Sequence, residues 1–406
     1  MSQPSPPPPP PADAPLVNPW SGTRLAKKIR QADAANRRNN RDFPCPNCGA
    51  DLRFDPGASA MKCTHCEAEV AVPHVDDEAA QEEFDLRAQI SSGVELETIQ
   101  TPSLNCTTCG ASVEFDADEH SRLCPFCDSA IVADVTLQRS IVPQGLLPFS
   151  KQEKEAQERM HTWLNSRWFA PGGITKNAAE EHFNGVYVPT WTYDANTVTD
   201  YTGKRGRRVR SGKTTRISWT RVSGTVTGSF DDVLVSGSQS VSVEFKDALA
   251  PWPLADLETY QTEFLAGFRA ENHTMGLEEG YAESQVFMRA KIRDWIKADI
   301  GGDRQIITSA DTRFSDETFK HILLPVWITH YTLEGTRYRM SVNGQTGKVY
   351  GQRPFSNRKL LLGALIGFLA MSILGGLISV SSGPDIRPYI ARSPATADGN
   401  WFNNGN

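Results

Sequence analysis

Cysteine is absent from this 406-residue sequence except in two short modules, so none is left over for a separate disulfide or redox pair. The opening stretch, MSQPSPPPPPPADAP, lacks both the basic n-region and the apolar h-region of a secretory signal, which leads us to expect a reducing compartment. A phosphate-binding loop is missing too. The one lookalike, GRRVRSGKTT at 206–215, has Arg207 where the first glycine must stand, and reads with neither a strand before it nor a helix after it. No acidic Mg2+-binding motif follows a hydrophobic strand, no H-E-x-x-H pair occurs among the eight histidines, and no serine sits in a G-x-S-x-G elbow. Asp231-Asp232 is the one adjacent carboxylate pair of interest, and the sequence places it in a solvated hairpin turn. No catalytic residue is expected, and the reading is of a protein that is not an enzyme. An overall basic balance is lacking as well: the net charge of −6 argues against a surface built throughout for polyanions.

What the chain does have is a pair of cysteine modules. CPNCGADLRFDPGASAMKCTHC at 45–66 and CTTCGASVEFDADEHSRLCPFC at 106–127 both follow C-x2-C-x14-C-x2-C. The ligand sets are Cys45, Cys48, Cys63 and Cys66, then Cys106, Cys109, Cys124 and Cys127. Two C-x2-C hairpins bring four thiolates to the corners of a tetrahedron, which suits a closed structural Zn2+ site in a segment too small for its own core. Gly49 and Gly110 follow the second cysteine of each module, where a left-handed residue lets backbone amides point at sulfur. Two zinc ribbons with two Zn2+ ions are therefore expected, over 43–73 and 104–135. Both are net acidic: Asp51, Asp55, Glu67 and Glu69 outweigh Arg53 and Lys62 in the first, and Glu114, Asp116, Asp118, Glu119 and Asp128 outweigh Arg122 in the second. Phosphate contacts need the opposite sign, so protein contact is the better expectation for them.

Around the ribbons, 1–42 reads as a Pro-rich and basic segment, largely disordered, whose TRLAKKIRQADAANRRNNR run (23–41) is strongly basic. DDEAAQEEFDLRAQI (76–90), within the 74–103 linker, reads as a short acidic helix or a solvated linker. Towards the other end, LLLGALIGFLAMSILGGLISV (360–380) has no charge and, at about 1.5 Å per residue, spans the roughly 30 Å hydrocarbon layer. Arg353, Arg358 and Lys359 lie close before it, while Arg387 and Arg392 lie further off in the short 381–406 tail. The positive-inside rule then puts the body in the cytoplasm of a single-pass inner-membrane protein. Gly363, Gly367 and Gly375 mark a small-residue stripe suited to close helix packing, with itself or with a partner helix.

Residues 145–356 read as an α+β domain. Ser150 and Glu153 suggest a capping box for a first helix, 278–300 a second, and strands follow each. Val188-Pro189-Thr190-Trp191 and Leu324-Pro325-Val326-Trp327 hint at an internal duplication. Between 204 and 221, Lys204, Arg205, Arg207, Arg208, Arg210, Lys213, Arg216 and Arg221 occur without an acid, as in the mobile tip of a long hairpin, which is read as a solvated loop or as a contact for lipid or nucleic acid.

The ordered set of C-x2-C ribbons, LLPF-helix-RWFAP, GVYVPTW, FDDVLV, HILLPVW, SVNGQTGKVYG and a late apolar span resembles the bacterial TFIIB-type zinc-ribbon-containing membrane protein family, often labelled primosomal helicase-like. The resemblance implies that the eight cysteines are metal ligands and implies no catalytic residue; the absent phosphate loop argues against the helicase label. The expected fold class is multidomain: two small four-cysteine zinc ribbons, an α+β domain and one C-terminal transmembrane helix. The expected function is that of a membrane-anchored cytoplasmic adaptor recruiting protein partners to the inner membrane, a membrane-stress scaffold among them, with self-association through the membrane helix. The alternative is a membrane-tethered nucleic-acid-binding protein using 23–41 and 204–221.

Overall fold

The computed structural model describes residues 43–73, 80–93, 96, 98–114, 122–131, 136–166, 183–212, 214–238, 247–333, 336–352, 359, 361, 363–368 and 371–372. The basic run 23–41, the first residues of the acidic stretch (76–79), Lys213 and Gly375 lie outside them. Two units divide the chain near residue 353.

The larger unit opens with strands β1 (Leu52–Asp55), β2 (Ala60–Cys63), β3 (Glu69–Val70) and β4 (Phe84–Asp85) and helix α1 (Leu86–Ser92). Next come β5 (Thr98–Asn105), β6 (Ser112–Glu114), β7 (Arg122–Leu123), β8 (Ala130–Ile131), β9 (Thr136–Ile141), β10 (Gly145–Leu146) and helix α2 (Glu153–Asn165). Two long strands, β11 (Asn184–Ser211) and β12 (Thr214–Ser236), precede β13 (Glu258–Thr259), β14 (Arg269–Ala270) and helix α3 (Leu277–Ile300). Strands β15 (Arg304–Leu333), β16 (Thr336–Asn343) and β17 (Val349–Gly351) complete it. A nine-stranded mixed sheet runs β12-β11-β15-β10-β13, with β14 on β11, β4 and β16 on β15, and β17 on β16.

Strand length is what the sequence hides. At about 3.3 Å per residue, β11, with 28 residues, is roughly 90 Å of extended chain. The hairpin tip expected over 204–221 is a continuation of both strands, one antiparallel pair in register from Tyr201↔Gly224 to Ser211↔Thr214. Helix α3 lines one face of this pair through Gly280, Ser284, Met288, Ile292, Ile296 and Ile300, an i, i+4 stripe buried along the whole helix. Its small residues lie where the sheet presents aromatics: a Cβ on Gly280 would stand 2.5 Å from the Tyr193 hydroxyl. Further along, Ile292, Ile296 and Ile300 pack with Tyr201.

The hint of duplication becomes geometry. Val188 pairs with Leu324, and about that pair Pro189 and Trp191 are equivalent to Pro325 and Trp327. The equivalence extends through the backbone: Gly237 N donates to Pro189 O and Gly344 N to Pro325 O, each at 2.8 Å. Trp191 Nε1 donates to Met275 O at 3.0 Å and Trp327 Nε1 to Lys151 O at 2.8 Å, one residue before the N-cap of α3 and of α2 respectively. Each half also lends a short strand to the other, since β14 runs parallel to β11 at Val186–Tyr187 and β10 parallel to β15 at Ile322–Leu323. The body is thus two β-α-β repeats exchanged across one antiparallel pair.

The capping residue expected at Ser150 is corrected to Gln152, whose box partner is Glu155. Ser150 N and Lys151 N both donate to Gly344 O, which holds those residues to the sheet and delays the helix. Asp231-Asp232 likewise lies within β12 and not in a hairpin turn, at the register shift opposite Tyr193 and Ala195.

In the smaller unit, residues 359, 361, 363–368 and 371–372 are helical, Gly363 and Gly367 among them. Leu361, Leu365, Ile366, Phe368 and Met371 are exposed there. Among the described residues no helix is long and apolar enough to cross a membrane; the remainder of 360–380 lies outside them.

Candidate metal centres

Each cysteine module folds as two matching knuckles. In the first, Cys45 N donates to Ala50 O and Gly49 N to Cys45 O, with Gly49 at φ +76°. Cys106, Ala111 and Gly110 (φ +77°) repeat it in the second. The return knuckles make the same turn with Glu67 and Asp128, both at φ +57°, where glycine would be unstrained. These turns bring Cys45, Cys48, Cys63 and Cys66 together, and Cys106, Cys109, Cys124 and Cys127 likewise, every sulfur of a set within 4.8 Å of the others.

The spacing fits zinc. Zn–S bonds of about 2.3 Å in a tetrahedron put sulfurs about 3.8 Å apart. The separations are 3.6 Å for Cys45–Cys66, 3.5 Å for Cys48–Cys63, 3.5 Å for Cys106–Cys127 and 3.7 Å for Cys109–Cys124. A disulfide would need about 2.05 Å, and all eight thiols are free. Two groups of four cysteines, each with two members buried, are thus consistent with two Zn2+ sites. In the first, the backbone N–H groups of Cys66 and His65 point at Cys63 Sγ and lower that thiol to about 6, favouring thiolate at neutral pH. In the second, the Ser129 hydroxyl lies 3.0 Å from Cys127 Sγ and 3.3 Å from Cys106 Sγ, placed to donate to thiolates.

The ribbons are not separate heads. Cys45, Leu52, Phe54, Met61 and Cys63 share one core with Tyr187, Phe268, Leu323 and Trp327. Leu104, Cys106, Val113, Cys124 and Phe126 share another with Val186, Val188, Ile322 and Leu324. Neighbouring residues of a strand face opposite ways, so the two ribbons cover opposite faces of the sheet where the repeats cross. Backbone bonds fix both: Phe54 N to Ala266 O at 3.0 Å and Asn272 N to Ser112 O at 2.8 Å. Arg337 reaches Asp128 at 3.3 Å, and His330 Nε2 sits 3.0 Å from Phe126 O. Outward, ribbon 1 exposes Cys48, Cys66, Asp51, Glu67 and Glu69.

A third group joins Asp231 to residues scattered along the sequence, which no local spacing connects. Oxygens of Glu83, Asp194 and Asp231 lie within 4.8 Å of one another, and the buried Lys320 Nζ bridges Glu83 at 3.2 Å and Asp232 at 3.0 Å. Burial, assisted by the Glu83 and Asp232 charges, raises Asp194 to about 6 although the Asp232 N–H donates to it. An internal cation already balances the cluster, which therefore reads as a polar seam between the linker and the sheet.

The basic hairpin residues are brought together by strand pairing: Lys204 opposite Arg221, Arg208 opposite Ile217 and Arg210 opposite Thr215. Lys204, Arg207, Arg208 and Arg210 are exposed, and Arg205 is half-buried, its guanidinium donating to Ile300 O.

No family model matches the chain, and no solved structure does. The chain is similar to the uncharacterized protein YdjG of Bacillus subtilis strain 168, with 26% identity over 329 residues, covering 78% of this chain and 91% of that protein.

Proposed function

We propose that the protein is a membrane-anchored zinc-ribbon adaptor that recruits protein partners to the cytoplasmic face of the inner membrane. Zinc has a structural task in this reading: it rigidifies the knuckles, and the shared cores hold them at fixed positions on the sheet. The observation that carries the docking role is the outward surface of ribbon 1, where the exposed Asp51, Glu67 and Glu69 outnumber the exposed Arg53 and where Cys48 and Cys66 are also exposed. A rigid acidic surface of this kind suits a basic segment of a partner protein and repels nucleic acid. Attachment to the bilayer is supported by the uncharged 360–380 run and by the exposed apolar side chains of its described helical residues.

Deleting a ribbon would remove part of the core, so the test must change charge and not length. Crosslinking in intact cells with Asp51→Lys/Glu67→Lys/Glu69→Lys is expected to lose the neighbours captured by the wild type while keeping both zinc ions. An unchanged set of neighbours rejects the docking role. A nucleic-acid reading draws on the exposed Arg207, Arg208 and Arg210. It predicts a gel shift that weakens steeply with salt.

A further inference from the structure

The register of the long hairpin sorts its end into two unlike faces. Residues directly opposite in an antiparallel pair share a face, and the face alternates along the strand. Arg205 and Arg207 belong to the face that carries α3, as the Arg205 contact with Ile300 shows. The opposite face takes Lys204, Gly206, Arg208 and Arg210 from β11, Arg221, Trp219 and Ile217 from β12, and Ile306 and Arg304 from β15, since Lys204 pairs with Ile306 and Gly206 with both Trp219 and Arg304. Gly206 makes room for the indole: a Cβ there would lie 2.9 Å from Trp219 Cζ3 and 2.9 Å from Ile217 Cγ2. Trp219 is 41% exposed and Ile306 44% exposed. Asp303 accepts the Arg208 backbone N–H at 2.7 Å.

At the hairpin end the packed face is the one against α3, and the opposite face leaves an indole and an isoleucine exposed among Lys204, Arg208, Arg210, Arg221 and Arg304. We propose that this face of the hairpin end is a second, peripheral membrane contact that binds an anionic bilayer surface, with Trp219 and Ile306 entering the headgroup boundary and the cations pairing with lipid phosphates. The amphipathic indole favours that boundary, and each cation near an anionic leaflet strengthens binding about fivefold. Nucleic acid fits less well. Single strands are bound by stacking successive bases on aromatic rings, whereas here one indole stands beside aliphatic side chains. The inference rests on the membrane attachment proposed above, and the test separates the two.

The full chain is reconstituted into phosphatidylcholine vesicles, with and without phosphatidylglycerol, whose acyl chains are brominated. The Trp219 signal is the difference in emission between wild type and Trp219→Phe. Quenching of that signal is expected in phosphatidylglycerol vesicles and not in phosphatidylcholine alone. High salt should abolish it, and Lys204→Gln/Arg208→Gln/Arg210→Gln/Arg221→Gln should reduce the quenched-to-unquenched ratio at least about tenfold. An unquenched signal in anionic vesicles overturns the proposal, and one that responds instead to a single-stranded oligonucleotide overturns it in favour of nucleic acid. Alkaline carbonate extraction reads the anchor independently. Release of the chain with quenching intact sinks the anchor alone, and retention without quenching sinks this contact alone.

Discussion

The seating of α3 on the long hairpin depends on a glycine that a small perturbation can test. Gly228 lies on β12 opposite Thr197, and the Trp295 ring sits directly over it. A Cβ at that position would stand 2.1 Å from Trp295 Cζ3 and 2.3 Å from Cη2, well inside van der Waals contact. The ring cannot slide freely, because it stacks on Phe230 with centroids 5.0 Å apart. Gly228→Ala therefore sets two effects against each other. Alanine in a strand interior gains about 0.5–1 kcal/mol over glycine. Overpacking costs about 1–3 kcal/mol, and loss of the aromatic pair adds about 0.5–1.5 kcal/mol. The steric side wins, with a net destabilisation of about 1–3 kcal/mol. In a Trp295→Ala background the clash is gone, so the same substitution should stabilise by about 0.5–1 kcal/mol. Hydrogen exchange of the amides of Thr214–Ser236 reads this locally, alongside the urea midpoint. Equal stabilisation by Gly228→Ala in both backgrounds would refute the packing.

Three further outcomes follow from the same geometry. Burial raises Asp194 above its usual 3.8, so the folded chain holds an extra proton between about pH 4 and 6. Its contribution to stability is full below pH 4 and lost as the pH rises past 6. Asp194→Asn, which keeps an acceptor for the Asp232 N–H, should stabilise at pH 7 by up to about 3 kcal/mol and do little below pH 4, as read by denaturation at both pH values. Trp191→Phe and Trp327→Phe each strand a carbonyl at the start of a helix, so each should cost about 1–3 kcal/mol; a large inequality in Tm would mean that the repeats are not energetically alike. Cys63→Ser should leave one zinc per chain and destabilise the whole sheet by at least about 3 kcal/mol, because Cys63 is 2% exposed within the shared core. Near-UV circular dichroism that changes only for the ribbon would contradict this.

The metal sets were legible because their chemistry is local: four ligands within one short segment announce themselves by spacing. The bounds of α3 followed from apolar period, whereas the start of α2 did not, because backbone bonds to Gly344 hold Ser150 and Lys151 to the sheet; the paired Pro and Trp motifs gave a trace of the repeat. The exchange of β10 and β14 between halves was not legible, since two-residue strands carry no pattern and pairing at such sequence distance is fixed only by the folded sheet. Nor was the length of β11 and β12 legible. Their outer thirds alternate polar with polar, as at Arg207-Arg208 and Thr214-Thr215, so no periodicity separates strand from loop. The ribbons looked self-contained because cysteine dominates their reading, whereas Leu52, Phe54, Met61 and Val113 commit them to the sheet. Trp219 and Ile306 could not be paired from sequence, being joined only through register.

The most direct measurement is the zinc content of the purified full chain, prepared under reducing conditions and measured by elemental analysis with a thiol count in parallel. Two Zn2+ ions per chain, with all eight thiols protected until a chelator is added, is the result predicted. Fewer than two ions, or cysteines found joined as disulfides, would contradict it.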